Sequence, residues 1–154
     1  MLCNAIPTKD NLSRRGIPLM CDRCPLCGVE EESVRHLFFE CKISWKIWGM
    51  CLTWLGFPLV LHCDAQMHFR MFKPLGLNHA VTKCWGGIWV GFVSEIWNHR
   101  NRVVFENGQV DLVEVFTVTQ RKTWSWVTVK EKSVVFSYSD WCLDPICCMR
   151  YLKV

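Results

Sequence analysis

A mainly α-helical chain is predicted, with a small cysteine/histidine knuckle module and short helices first, then a two-helix extension and a coil tail. Three observations predict it. Cysteines and one histidine recur early with the spacing C-x2-C-x8-H-x4-C, at Cys24, Cys27, His36 and Cys41. Apolar residues then recur at three- and four-residue steps over about 43–55, 79–105 and 110–130, the period of an amphipathic helix. Finally, Gly and Pro fall between these stretches, at Gly16, Pro18, Gly56, Pro58, Pro74 and Gly76, where they punctuate helices.

Taken in order, Pro7-Thr8-Lys9-Asp10-Asn11-Leu12 predicts a turn and a short helix to about Arg15, ended by Gly16 and Pro18. Glu30, Glu31 and Glu32 favour a helix start through the helix dipole, so a short helix is expected over 32–40 with His36 on it. Cys41 is expected just past its end, because five residues along a continuous α-helix would turn two ligands apart. The helix over 43–55 presents Ile47, Trp48, Cys51, Leu52 and Leu55. Residues 57–78 read as irregular connection. The longest helix, about 79–105, turns Val81, Trp85, Ile88, Trp89, Phe92, Ile96 and Val103 inward and stops at Asn107-Gly108. Gly86, Gly87 and Gly91 weaken it by roughly 1 kcal/mol each, or admit a close helix neighbour. The next helix, about 110–130, has Leu112, Val115, Phe116, Trp126 and Val127 inward, although Trp124–Val129 partly alternates like a strand. The tail from Ser133 is expected to be mostly coil. These readings divide the chain into residues 1–57, a connection 58–78, a helical extension 79–132 and an irregular tail 133–154.

Composition sets bounds. The 154 residues are 51% hydrophobic and include nine tryptophans, which is enough for a core. The net charge of +4 is scattered, with seven basic and six acidic side chains in residues 1–50, and no basic stripe stands out. Eleven cysteines is an odd number, and no signal peptide is evident, so reduced cysteines that bind metal or fill the core are expected. The apolar run around 50–61 is too short to span a bilayer and contains Pro58; no membrane association is expected.

The early cluster carries the chemistry. A two-residue gap lets two thiolates on one turn face a common centre, and Gly28 allows the positive φ such a knuckle needs. Three sulfurs and one imidazole complete a closed structural zinc site; one structural Zn2+ on Cys24, Cys27, His36 and Cys41 is expected. Cys21, also two residues from Cys24, offers an alternative pair, but Pro25 and Gly28 frame Cys24 and Cys27 better. The gap of eight residues before His36 is too short for a DNA-reading finger. His62, Cys63 and His68 lack a fourth partner. Trp97-Asn98-His99-Arg100-Asn101 mixes groups that bind single strands, yet reads more simply as an ordinary helix with Trp97 inward. Cys51 and Cys84 read as core. No nucleophile, phosphate loop or carboxylate pair emerges, and Asp140 and Asp144 lack partners for two-metal chemistry; no enzyme is expected.

Together, Ile6-Pro7-Thr8-Lys9-Asp10-Asn11-Leu12, Arg15-Gly16, Cys24-Pro25-Leu26-Cys27-Gly28, Glu32-Ser33-Val34-Arg35-His36-Leu37-Phe38-Phe39-Glu40-Cys41 and Trp48 resemble the reverse transcriptase zinc-binding domain of plant non-LTR (LINE-type) retrotransposons. The segment Ile96–Phe105 resembles what commonly follows it. The resemblance covers about residues 5–57 closely and 80–142 more loosely. It implies metal on Cys24, Cys27, His36 and Cys41, a place downstream of a polymerase in a polyprotein, contact with RNA or DNA, and a nuclear setting. The polymerase's Tyr-x-Asp-Asp motif does not occur in this sequence, nor do endonuclease or RNase H domains, and the zinc domain reads as clipped at its start. The resemblance thus implies a C-terminal polyprotein fragment: a non-catalytic zinc-binding module assisting RNA or DNA binding, with a reverse transcriptase polypeptide as a further partner. The alternatives are a protein-interaction module using a tryptophan-rich surface, or a transposon remnant without function.

Overall fold

The structure, a computed structural model, describes residues 6–58, 61–130 and 136–152. Among the described residues it is helical, with no strand beyond one isolated bridge between Arg23 and Glu31. The first helix, α1 (Lys9–Arg14), ends at Gly16, whose φ is +77°. A hairpin over 22–32 follows and docks on α1: the Asp10 amide donates to the Glu32 carbonyl, and Lys9 Nζ to the Arg23 carbonyl at 2.7 Å.

The helix expected over 32–40 starts later and winds differently. Ser33 caps it, its Oγ accepting from the His36 amide, and Glu32 stays in the hairpin. Residues His36–Glu40 form a π turn closed by the Cys41 amide on the His36 carbonyl at 2.7 Å. Helix α2 (Lys42–Trp54) begins directly afterwards. A π turn leaves carbonyls without helical partners; here Ser44 Oγ donates to Leu37 O, and Trp48 Nε1 to Phe38 O at 2.8 Å.

The connection expected to be irregular holds a helix, α3 (Ala65–Phe72), capped by Asp64, which accepts from the Gln66 and Met67 amides. His68 and Phe72, four residues apart on one face, are its buried pair. Helix α4 (His79–Phe105) has the expected bounds, with Asn78 capping its start and Asn107 at φ +52° beyond its end. Helix α5 (Leu112–Lys130) is continuous, so the strand-like stretch is helical. The start of the tail, 133–135, lies outside the described residues. Its later part is not coil: a Ser137–Asp140 capping box starts α6 (Tyr138–Leu143), and Asp144 with Pro145 starts α7 (Pro145–Met149). Trp141 anchors this pair, fully buried and donating to Gln120 O.

Helices α4 and α5 run antiparallel, because Gly87 meets Trp126, Gly91 meets Thr119 and Thr123, Glu95 meets Lys122, and His99 meets the Asp111 amide. Trp126, expected inward, is instead 40% exposed and lies over Gly87. A Cβ on Gly91 would sit 3.0 Å from Thr123 Cγ2 and 3.2 Å from Thr119 Cγ2. Close approach, rather than flexibility, explains this glycine. Gly91→Val should therefore cost about 2 kcal/mol through overpacking, read as a lowered urea midpoint; an unchanged midpoint would refute the tight fit. Helix α2 joins this pair through Trp48 against Phe92 (5.6 Å between rings) and Trp54 against Phe116 (6.0 Å). The core is thus an aromatic cluster shared by α2, α3, α4 and the π turn. No helix among the described residues is long and apolar enough to cross a membrane.

Candidate metal centre

Three short elements bring four donors together. The turn after Cys24 folds back, with the Gly28 amide on the Cys24 carbonyl at 2.8 Å and Gly28 at φ +69°, as the knuckle requires. That turn carries Cys24 and Cys27. The π turn carries His36 at its start and Cys41 just past its end. On an α-helix two such residues would point about 140° apart; one turn closed by an i to i+5 bond returns them to the same side.

The donor atoms of Cys24, Cys27, His36 and Cys41 all lie within 4.8 Å of one another. Cys24 Sγ is 3.9 Å from Cys41 Sγ, and Cys27 Sγ is 3.4 Å from His36 Nε2. Bond lengths of about 2.3 Å to sulfur and 2.0–2.1 Å to nitrogen give tetrahedron edges of about 3.8 and 3.5 Å. The donor set fits zinc in both chemistry and size. Cys24 and Cys41 are fully buried and His36 nearly so, which suits a closed structural site without a place for water or substrate.

Electrostatics favours thiolate at one corner. Cys24 donates to Cys41; this bond and burial push the Cys24 thiol up. Accepting that bond, with the Ile43 and Ser44 amides of α2 facing its sulfur, lowers Cys41 to about 5 despite burial. One proton is shared between two sulfurs, and a metal cation would displace it.

The other sequence candidates do not assemble. Cys21 is exposed and outside the cluster, and no disulfide joins the described cysteines. Among the described residues there is no second metal group. His62 Nδ1 accepts from the Asp64 amide, and Cys63 Sγ lies 3.0 Å from Arg35 Nη2. His68 is buried among Phe39 and Trp48, and Trp89 Nε1 donates to its Nδ1 at 2.8 Å. Burial, helped by nearby His62, pushes this imidazole down to about 4. An unfolded histidine titrates near 6.5, so the unfolded state takes up the proton first as pH falls. Stability from neutral His68 is complete above about 6.5 and is lost toward about 4, amounting to about 3 kcal/mol. The difference in urea stability between wild type and His68→Leu over that range should show it, since metal ligands also bind protons in acid. Parallel profiles would rule it out.

The segment 97–101 is part of α4, as its simpler reading had it, with Trp97 half-buried and Asn98 exposed, but His99 and Arg100 are buried. Arg100 donates two hydrogen bonds to the Glu32 carboxylate, Nε to Oε1 at 2.7 Å and Nη2 to Oε2 at 2.8 Å. Its guanidinium lies 5.0 Å from the centre of the Trp97 ring. His99 Nε2 accepts from the Asp111 amide. Sequence reading missed Glu32 altogether: grouped with Glu30 and Glu31 as a helix-start charge, it is instead the buried tie between the knuckle and α4. Nothing in local spacing signals a pair 68 residues apart.

A knuckle and a π turn converging three cysteines and a histidine define a structural zinc module. Residues 1–48 match the model of a family described as zinc-binding in reverse transcriptase, so this part of the chain is similar to a reverse transcriptase zinc-binding domain. The donor cluster and this match together support one structural zinc. The match is to a zinc-binding domain and not to a polymerase. No curated protein and no solved structure matches the chain.

Proposed function

We propose that this protein is a non-catalytic module whose zinc is held by Cys24, Cys27, His36 and Cys41, and which helps a reverse transcriptase polypeptide engage RNA or DNA. The observation that carries the reading is the four donor atoms within 4.8 Å of one another, with the Cys24–Cys41 and Cys27–His36 distances matching the edges of a zinc tetrahedron. The family match over residues 1–48 supports the reverse transcriptase setting, and the motifs Arg15-Gly16 and His36–Cys41 speak for the non-LTR, LINE-type lineage of plants. The alternative of a docking module built on a tryptophan-rich surface is disfavoured, because only Trp45 and Trp126 of the described tryptophans are exposed. We read the boundary at residue 57 as the limit of the domain resemblance. It does not bound a separate folding unit, since Glu32 and Arg100 pair across it.

Metal analysis of the purified chain, joined to binding of labelled RNA and DNA at two salt concentrations, tests the reading. One zinc per chain and affinity that falls with salt, as phosphate contacts release counterions, are expected. A metal-free folded chain, or salt-independent binding to a protein alone, would reject it.

A further inference from the structure

The outer face of α2 sets an exposed tryptophan between two lysines. Lys42, Trp45, Lys46 and Gly49 stand at helical spacing on one exposed ridge. Trp45 is 56% exposed. The tryptophans on the inner side of the same helix are committed: Trp48 Nε1 to Phe38 O, and Trp54 Nε1 to Trp141 O. Trp45 makes neither a ring contact nor a hydrogen bond through its indole nitrogen among the described residues. Trp126, the other exposed tryptophan, already covers Gly87.

Charge complements the ring. Helix α2 contains no acidic residue, and neither Lys42 nor Lys46 has a carboxylate partner among the described residues. Arg14, Arg35, Arg100, Arg102 and Lys122 are among the cations already engaged by carboxylates. A Cβ built on Gly49 would meet nothing within 4 Å, so the surface one turn beyond Trp45 is open to a flat group. The two ammonium groups spring from positions one turn apart, about 6 Å along the axis. The ridge is rigid because Ile47, Trp48 and Cys51 bury its back, and the Trp45 amide bonds the Cys41 carbonyl.

We propose that Trp45, flanked by Lys42 and Lys46, is a stacking platform for a single-stranded polynucleotide, an inference that rests on the nucleic-acid reading above. An indole stacks on any unpaired base, and lysines meet the phosphates on either side. A duplex hides its base faces and is the wrong occupant. Stacking and phosphate contacts ignore the sugar, so RNA and DNA strands of one sequence should bind alike.

The test uses the zinc-loaded full chain and a labelled 12-mer as RNA, as DNA and as duplex DNA, followed by fluorescence anisotropy between 50 and 200 mM salt. Trp45→Ala should weaken single-strand binding about tenfold, with Trp45→Phe close to wild type. Lys42→Gln combined with Lys46→Gln should flatten the dependence of log K on log salt by about 1.4. Zinc content and helical signal, measured on each variant, show that the fold is kept; these substitutions lie on the solvent side. Single-strand binding by wild type that Trp45→Ala leaves untouched, or tighter binding of duplex, overturns the platform while leaving the wider nucleic-acid reading in place. No binding by wild type even at 50 mM salt overturns both.

Discussion

Replacing Cys27 or His36 by alanine should abolish zinc retention, unfold the hairpin over 22–32 and loosen the π turn behind it. The reason lies in what the hairpin has to bury. Within the hairpin over 22–32 only Cys24 and Leu26 are buried apolar groups, while Val29, and Ile17, Leu19 and Met20 before it, face solvent. So small a core cannot offset the entropy of ordering the loop. The metal must supply the difference, on the order of 10 kcal/mol in small zinc modules. Removing one donor also leaves the Cys24–Cys41 thiol pair buried without the charge that would organise it. Zinc stoichiometry by mass spectrometry, with far-ultraviolet circular dichroism before and after chelator, reads the effect. Loss of zinc with unchanged helical signal and thermal midpoint would show that the site is ornamental. Acid should act in the same direction, since protons compete for the same sulfur and nitrogen atoms.

The second large effect is expected far from those donors. Arg100→Leu should cost about 4 kcal/mol, because it leaves the Glu32 carboxylate charged and dry. The Glu32 side chain is fully buried and that of Arg100 nearly so, so no water can take over the lost bonds. Glu32→Leu with Arg100→Leu should recover most of the loss, since a buried pair and a hydrophobic replacement differ little. Urea unfolding of the two single variants and the double variant forms the cycle. A single-variant cost below about 1 kcal/mol would mean that water reaches the pair after all. Near 4 kcal/mol, zinc module and α4 stand or fall together.

What could be read in advance follows from where each signal lives. The donors Cys24, Cys27, His36 and Cys41 are announced by spacing, because a knuckle is a local geometry of a few residues. Helix α4 was legible because Asn107-Gly108 marks its end and seven apolar positions mark its face; the Asn78 cap at its start is seen only in the structure. Helices α3, α6 and α7 were hidden by neighbouring Pro and Gly, although their caps at Asp64, Ser137 and Asp144 are ordinary ones in hindsight. Their helicity depends on burying Phe72 or Trp141 against distant helices, and no short window contains that partner. The π turn was equally hidden: the expectation that Cys41 must lie beyond a helix end was sound, but the way the chain solves it needs Ser44 and Trp48 to donate to the stray carbonyls. Trp126 misled because its period matches the inward face while Gly87 provides it a shelf at the rim.

The Glu32–Arg100 tie also bears on how the chain is born. Synthesis runs from the N-terminus, so all four metal donors have been made long before Arg100 exists. Until some sixty-eight further residues have followed Glu32, its carboxylate must remain in water and the inner side of α2 must remain bare. A nascent chain can therefore close around its ion early but cannot seal, and a ribosome that stops near residue 57 releases a metal-bound stub with an open flank.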